Sequence, residues 1–194
     1  AAEGVGVPIH QPESVNTPDF VEAVRSSGAS FAIVVAFGQI LSTRLLNALP
    51  KGFFNLHLSL LPELRGAAPV PWAIALGYRR TGVTCFRIVR ELDAGPVLSM
   101  IPVDIAPDET TATLFEKLRL PVLAATRNAL IVLEHDVDVT EQDHSRATFA
   151  PKVLEADTVL DFRRPVWKLD ALVRAFGESP GTHCFWHREF SAET

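Results

Sequence analysis

Two cysteines in 194 residues, Cys85 and Cys184, are too few for a disulfide framework or a four-cysteine zinc site, and a reduced compartment is the simpler setting. Long apolar runs are missing too. The longest, residues 31–41, is 11 residues long and contains Gly38 and Gln39, whereas a bilayer helix needs roughly 20. There is no basic excess: a net charge of −5 speaks against a generic nucleic-acid binder without excluding a local basic patch. The first segment lacks an initiator Met and the basic and apolar regions of a signal peptide, so no leader is expected there. What is present is enough for a core, since 47% hydrophobic against 21% charged residues excludes wholesale disorder. One large domain, or one with a small appendage, is the expectation.

Helical and extended patterns alternate, which predicts an α/β fold with a doubly wound, mostly parallel sheet. Strands are expected over residues 5–9, 31–37, 53–57, 82–89 and 97–105. The second of these is a continuous apolar run of the kind buried on both faces of a parallel sheet. Thr17, Pro18 and Asp19 open a helix whose face is Phe20, Val21 and Val24. Ser42 caps a short helix carrying Leu45, Leu46 and Leu49. A loop over 60–69 leads to a short helix through Trp72 and Ile74. A long helix then runs from about Pro107 to Glu134, and Pro121 is expected to kink or split it. The acidic, apolar-poor stretch that follows reads as a linker. A strand near 159–162 and a helix from Pro165 to Phe176 begin a further unit, so the chain divides into 1–133, 134–149 and 150–194.

Asn55 and His57 stand two apart at the end of a strand, and a period of two puts both on one face. In open α/β sheets, ligands gather outside the carboxyl ends of strands. The loop after another strand can bring Asp93 to the same crevice. Amide, imidazole and carboxylate together suit acyl transfer: a donor to an oxyanion, a proton carrier and a group that orients it. By itself, an Asn-x-His pair reads first as a satisfied structural histidine and second as a catalytic one.

Four ordered motifs change that balance. They are Asn55-Leu56-His57-Leu58-Ser59-Leu60-Leu61-Pro62, Arg65-Gly66-Ala67-Ala68-Pro69, Thr81-Gly82-Val83-Thr84 and Leu92-Asp93-Ala94-Gly95. Together they resemble the formyltransferase family that uses 10-formyltetrahydrofolate, and the 36 residues from His57 to Asp93 (93 minus 57) match the family's catalytic spacing. The resemblance runs from about Val5 to Arg174. It implies a Rossmann-type catalytic domain, with its N-terminal part missing here, followed by the start of a small β-barrel-like domain that is cut short.

The resemblance also implies roles. Asn55 would donate to the developing oxyanion on the formyl carbon. His57 would stabilise that oxyanion and move the proton that lets N10 of the folate leave. Asp93 would hold His57 and help deprotonate the attacking amine. Ser59, Arg65 and Thr84 would position these groups or touch substrate. Folate would lie against Phe37, Gln39, Ile40, Leu41, Phe53, Ile88 and Leu92, an apolar slot edged with main-chain hydrogen bonds that suits a flat pterin. Residues 65–69 and Ala150-Pro151-Lys152 look most like the members that formylate the amino group of methionyl-tRNA for translation initiation. The implied partners are initiator methionyl-tRNA and folate. The implied setting is a monomer in a bacterial-type cytoplasm or an organellar matrix, with no membrane and no metal. A sugar-nucleotide amine or water as acceptor stays open with the same site, as does an idle folate- or RNA-binding fragment. Two departures stand out. Leu58 replaces the usual Pro, Ala or Gly, and Glu63-Leu64 replaces a basic residue and an aromatic, reversing the local charge.

Other features have plainer readings. His183 and His187, with Cys184 nearby, have zinc-like spacing, but a strand there would lose the geometry. Arg79 with Arg80 and Arg163 with Arg164 read as solvated surface beside acidic neighbours. Trp72 and Trp167 read as core, and Cys85 as an inert buried thiol.

Overall fold

Alternation along one strand sorts its side chains between two cores. In β2 (Gly52–His57), Phe54 and Leu56 join the larger hydrophobic cluster, while Phe53, Asn55 and His57 take the other face. The computed structural model describes residues 4, 6–135 and 139–185. β1 (Phe31–Val34) lies parallel to β2, with Val34 opposite Asn55. β3 (Arg80–Arg87) runs antiparallel to β2 with Thr84 opposite His57, and β4 (Val97–Asp104) runs antiparallel to β3 with Met100 opposite Thr84. The sheet order is β1-β2-β3-β4.

The architecture is α/β, but the sheet is mixed rather than mostly parallel: of its three described strand pairings only β1–β2 is parallel. The connection 88–96 is too short for a crossover, which takes about a dozen residues or more, so β3 and β4 must reverse. β4 accordingly alternates between covered and exposed side chains, as a half-solvated antiparallel strand does. The apolar run 31–37 pairs only as far as Val34. It turns away where Ala36 adopts φ 48°, and Ile33 and Val35 are exposed because β1 is the edge of the described sheet. Of the strand expected over 5–9, Val5 lies outside the described residues, and residues 6–9 are exposed and unpaired because no neighbouring strand supplies main-chain partners.

Helices cover both faces. α1 (Pro18–Ser26) is capped by Thr17, whose hydroxyl oxygen accepts from Phe20 N at 3.3 Å. α2 (Thr43–Leu46) is capped in the same way by Ser42, accepting from Leu45 N at 3.2 Å. Val21 of α1, Leu45 of α2 and Leu49 just after it close over Phe53. On the opposite face lie α3 (Pro69–Ala75), α4 (Thr111–Glu134) and α5 (Val166–Phe176). α4 continues through Pro121 as one helix, so the proline does not split it. Leu114 and Leu118 before the proline, and Ala125 and Ala129 after it, are all buried on the sheet, and this packing outweighs one missing backbone donor.

The C-terminal stretch joins the same core. Leu172, Ala175 and Phe176 sit in the larger cluster, and the Phe176 ring meets Trp72 edge-on with centroids 5.6 Å apart. Thr111 Oγ1 donates to the Ala175 carbonyl at 2.7 Å, and Trp72 Nε1 to the Pro151 carbonyl at 2.8 Å. The strand expected near 159–162 reduces to a single bridge between Val159 and His183. Trp167, expected in the core, is 65% exposed on the outer face of α5. Phe176→Ala should therefore destabilise the whole sheet by about 3–5 kcal/mol. Urea unfolding followed by far-UV circular dichroism and Trp fluorescence should shift as one transition. A sheet transition left in place would mean that α5 belongs to a separate unit.

Candidate functional site

His57 is 5% exposed at the end of β2, with Phe86 edge-on at a centroid distance of 6.4 Å. Its Nε2–H donates to the Leu64 carbonyl at 2.8 Å. A carbonyl can only accept, so the proton of the neutral ring resides on Nε2 and Nδ1 carries the free lone pair. Nδ1 faces Asp93 Oδ2 at 3.6 Å, beyond hydrogen-bond length. Protonation at Nδ1 would turn that contact into a charge-assisted pair.

Two residues reach these positions through left-handed backbone, Leu64 at φ 59° and Asp93 at φ 48°. Such a conformation costs about 1–3 kcal/mol each and persists only where the surroundings hold it. Leu64 is held by its buried side chain, packed with Ala73 and Ala150, and by its N–H donating to Thr148 Oγ1 at 2.8 Å. Asp93 Oδ2 accepts from Gly66 N at 2.8 Å. Gly66 has φ 123°, and a Cβ there would lie 2.6 Å from the Ala150 carbonyl oxygen, so only glycine presents its amide to the carboxylate in this way. At Gly95 a Cβ would meet the Arg87 carbonyl at 1.9 Å, which lets the loop close tightly after β3.

The remaining expected residues divide into two groups. Thr84 Oγ1 donates to the Ser59 carbonyl at 2.6 Å and accepts from Leu61 N at 3.2 Å, while Ser59 Oγ donates to the Glu63 carbonyl at 2.6 Å. Both hydroxyls thus shape the loop after β2. Glu63, the departure in charge, stands 3.7 Å from Arg146. Arg65 is buried and its Nη2 donates to Gln142 Oε1 at 2.6 Å and His144 Nδ1 at 3.0 Å. Among the apolar candidates, Phe53 is buried in the α1–α2 cluster, with Leu41 and Ile88 packed against it. Phe37, Gln39, Ile40 and Leu92 are exposed, Ile40 at 91%. Gln39 spends its amide on residues 13–15, donating to the Glu13 carbonyl at 3.2 Å and accepting from Val15 N at 3.4 Å. A cavity of about 730 Å³ opens near Gly52, lined by Ile88, Leu46 and Arg90 among others, and none of Asn55, His57 or Asp93 lines it.

Several participants carry no signal in the residue types. The Leu64 carbonyl and the Gly66 amide are main-chain groups, and Gln142 lies in the polar stretch expected to be a linker. Among the described residues no cluster of His, Cys, Asp or Glu is placed to hold a metal, and no helix is long and apolar enough to cross a membrane. His187, of the zinc-like pair, lies outside the described residues. Cys85 is buried, and burial pushes its thiol up to about 12.

The model of the formyl transferase family matches residues 3–127. The methionyl-tRNA formyltransferase of Thermotoga sp. (strain RQ2) is 38% identical over 95% of this chain and 59% of its own length. That of Caulobacter vibrioides (strain NA1000 / CB15N) is 40% identical over 93% of this chain and 59% of its own. The chain thus spans about six-tenths of the length of these curated relatives. The fold is shared with HypX from Aquifex aeolicus in complex with tetrahydrofolic acid, at 21% identity and TM-score 0.74 over 87% of this chain and 30% of that one. It is shared also with a sugar N-formyltransferase from Shewanella sp FDAARGOS_354, at 18% identity and TM-score 0.74 over 89% of this chain and 71% of that one.

Burial pushes the His57 imidazole below its ordinary value of 6.5, against the upward pulls of the Asp93 carboxylate and the Leu64 carbonyl. In the window below 6.5 the unfolded chain binds the proton and the folded chain does not. The stability contributed by neutral His57 is complete above that window and is lost as pH falls through the folded pKa. Between about pH 7.5 and pH 5.5, the urea midpoint should therefore fall further in the parent protein than in His57→Asn. Equal slopes in the two proteins would refute this balance.

Proposed function

The chain belongs to the formyl transferase family, and from that premise we propose that it transfers a formyl group from 10-formyltetrahydrofolate to the amino group of methionyl-tRNA, for translation initiation. The observation that carries this is the pair of proton acceptors, His57 Nδ1 and Asp93 Oδ2, held 3.6 Å apart at the end of the strand that bears Asn55. Relatives 38% and 40% identical that bear the name methionyl-tRNA formyltransferase support the choice of acceptor.

The folate supplies the formyl group, carried on its N10. Fit to this group would come from Ile88, which lines the cavity near Gly52, and from Phe37, Ile40 and Leu92, exposed on the adjoining loops, while Phe53 is buried and Leu41 packs against its cluster. The Asn55 amide donates to the oxygen on which negative charge develops; one such donor contributes roughly 10²–10³ in turnover. Neutral His57 takes up a proton at Nδ1, since Nε2 is committed to Leu64. The resulting imidazolium is held between two acceptors, Leu64 O and Asp93. Asp93, fixed by the Gly66 amide, would receive the proton of the attacking amine. This is the proton that His57 Nδ1 takes up and the imidazolium then gives to N10 as the bond from the formyl carbon to N10 breaks, so one proton passes from amine to folate. The same proposal takes residues 1–133 as catalytic and 134–149 as a connecting segment, with 150–194 leading toward a second unit while its α5 packs into the catalytic core. It places a monomer in the cytoplasm or an organellar matrix, without membrane or metal.

The test is formyl transfer from 10-formyltetrahydrofolate to charged initiator methionyl-tRNA, with folate binding followed in the same sample. N-formylmethionyl-tRNA is the expected product. Formate release alone would make water the acceptor, and transfer only to a sugar-nucleotide amine would move the chain to that branch. Folate binding without turnover of any kind would leave a binding module. Asn55→Ala, His57→Ala and Asp93→Ala should each lower kcat by about 10²–10⁴ while the fold is kept. Retained activity in His57→Ala would sink the assignment.

A further inference from the structure

We propose that Gln142 is a positioning residue for Asp93, its carboxamide clamping the turn that aims the carboxylate. Gln142 is 7% exposed. Its Nε2 donates to two main-chain carbonyls of that turn, Asp93 O at 2.9 Å and Gly95 O at 2.7 Å. Its Oε1 accepts from Arg65 Nη2 at 2.6 Å. This orientation is forced, because carbonyls only accept and a guanidinium only donates.

The clamp matters because of the backbone it holds. Asp93 sits at φ 48°; the loop closes at its base through Arg87 N to Pro96 O at 2.9 Å, but within residues 91–95 the one main-chain bond among the described residues is long, Ala94 N to Glu91 O at 3.4 Å. Carboxylate direction follows from that backbone, and it brings Oδ2 to the Gly66 amide and toward His57 Nδ1. Arg65 and Gly66 are neighbours, so one short segment grips the turn twice: Arg65 through Gln142, Gly66 through the carboxylate. Arg65 is itself fixed, its N–H donating to Thr148 O at 2.8 Å and its carbonyl accepting from Ala150 N at 2.7 Å. It is 6% exposed, pairs with no carboxylate among the described residues, and its Nε has no partner. A buried cation in that state leans on its remaining acceptors. The segment bearing Gln142 docks independently of the amide, through two bonds between Thr140 and Val97 of 3.0 and 2.8 Å. Loss of the amide therefore removes the clamp and leaves the segment in place.

Gln142→Glu keeps an acceptor for Arg65 and removes both donors to the turn. The first readout needs no turnover: exchange of the Gly66 amide, measured by NMR, should speed up about tenfold or more in folded Q142E. The second is kinetic: kcat should fall about 10–100-fold while KM for 10-formyltetrahydrofolate and for the acceptor stays within about twofold, as displacement of a reacting group does. Gln142→Met, which loses donor and acceptor without adding charge, gives the same readouts should Q142E fail to fold. Unchanged Gly66 exchange, or unchanged kcat in an active protein, would overturn the proposal. It rests on Asp93 being catalytic. A parent chain that transfers no formyl group would end that reading, while Gly66 exchange would still decide the clamp.

Discussion

The hydrogen bond from His57 Nε2–H to the Leu64 carbonyl, 2.8 Å long, determines which ring nitrogen is available for chemistry. With the other tautomer, Nε2 and the carbonyl would be two acceptors facing each other in a buried space, an arrangement that costs a lost hydrogen bond and a desolvated lone pair. The loop from Leu58 to Gly66 is organised to present that carbonyl. Thr84 and Ser59 bond its early residues, and Thr148 bonds Leu64 itself. Leu64 fills a small core with Ala73 and Ala150, which holds its left-handed backbone. The geometry around His57 is a consequence of loop packing more than of the histidine's own strand.

A second balance follows from the first. Desolvation holds His57 neutral, while Asp93 and the Leu64 carbonyl both favour the charged ring. These opposed influences make the site receptive to a proton without carrying one at rest. The 3.6 Å gap to Asp93 belongs to the same design, since a shorter contact would favour imidazolium before any substrate arrived. Burial and the carboxylate therefore act as a pair: weakening either would move the resting protonation state.

Much of this was legible in the sequence. A period of two placed Asn55 and His57 together, Thr17 and Ser42 announced their helices, and the Leu-Asp-Ala-Gly loop pointed to Asp93. What escaped had physical reasons. The apolar run after Ser30 reads as a strand covered on both faces, yet among the described residues it pairs only with β2 and leaves it after Val34, and composition does not show where pairing stops. The sheet's sense was partly readable, since the short connection 88–96 forbids a parallel return, but the longer path from β2 to β3 permits either direction. Pro121 seemed a breaker because its missing donor is visible in sequence and the packing of Leu118 and Ala125 around it is not. Gln142 looked like one more polar residue in a linker. Its partners are two carbonyls and a distant guanidinium, and no residue pattern encodes main-chain acceptors.

Those escaped contacts alter how the chain's parts relate. Residues 139–150 behave as a strap across the site: Thr140 bridges to Val97, Gln142 holds the Asp93 turn, Thr148 and Ala150 bond the backbone around Arg65. The Ala150 carbonyl also sets the space that only Gly66 fits, and so helps decide that an amide meets Asp93. An Arg-Gly pair in one loop and an Ala-Pro-Lys segment 84 residues later (150 minus 66) thus act on the same carboxylate. The two segments are joined by main-chain bonds, Ala150 N to Arg65 O at 2.7 Å and Ala68 N to Ala150 O at 3.1 Å, so each restrains the other's backbone. The division drawn along the chain at residue 133 accordingly separates segments of sequence, while the groups that aim Asp93 come from both sides of it.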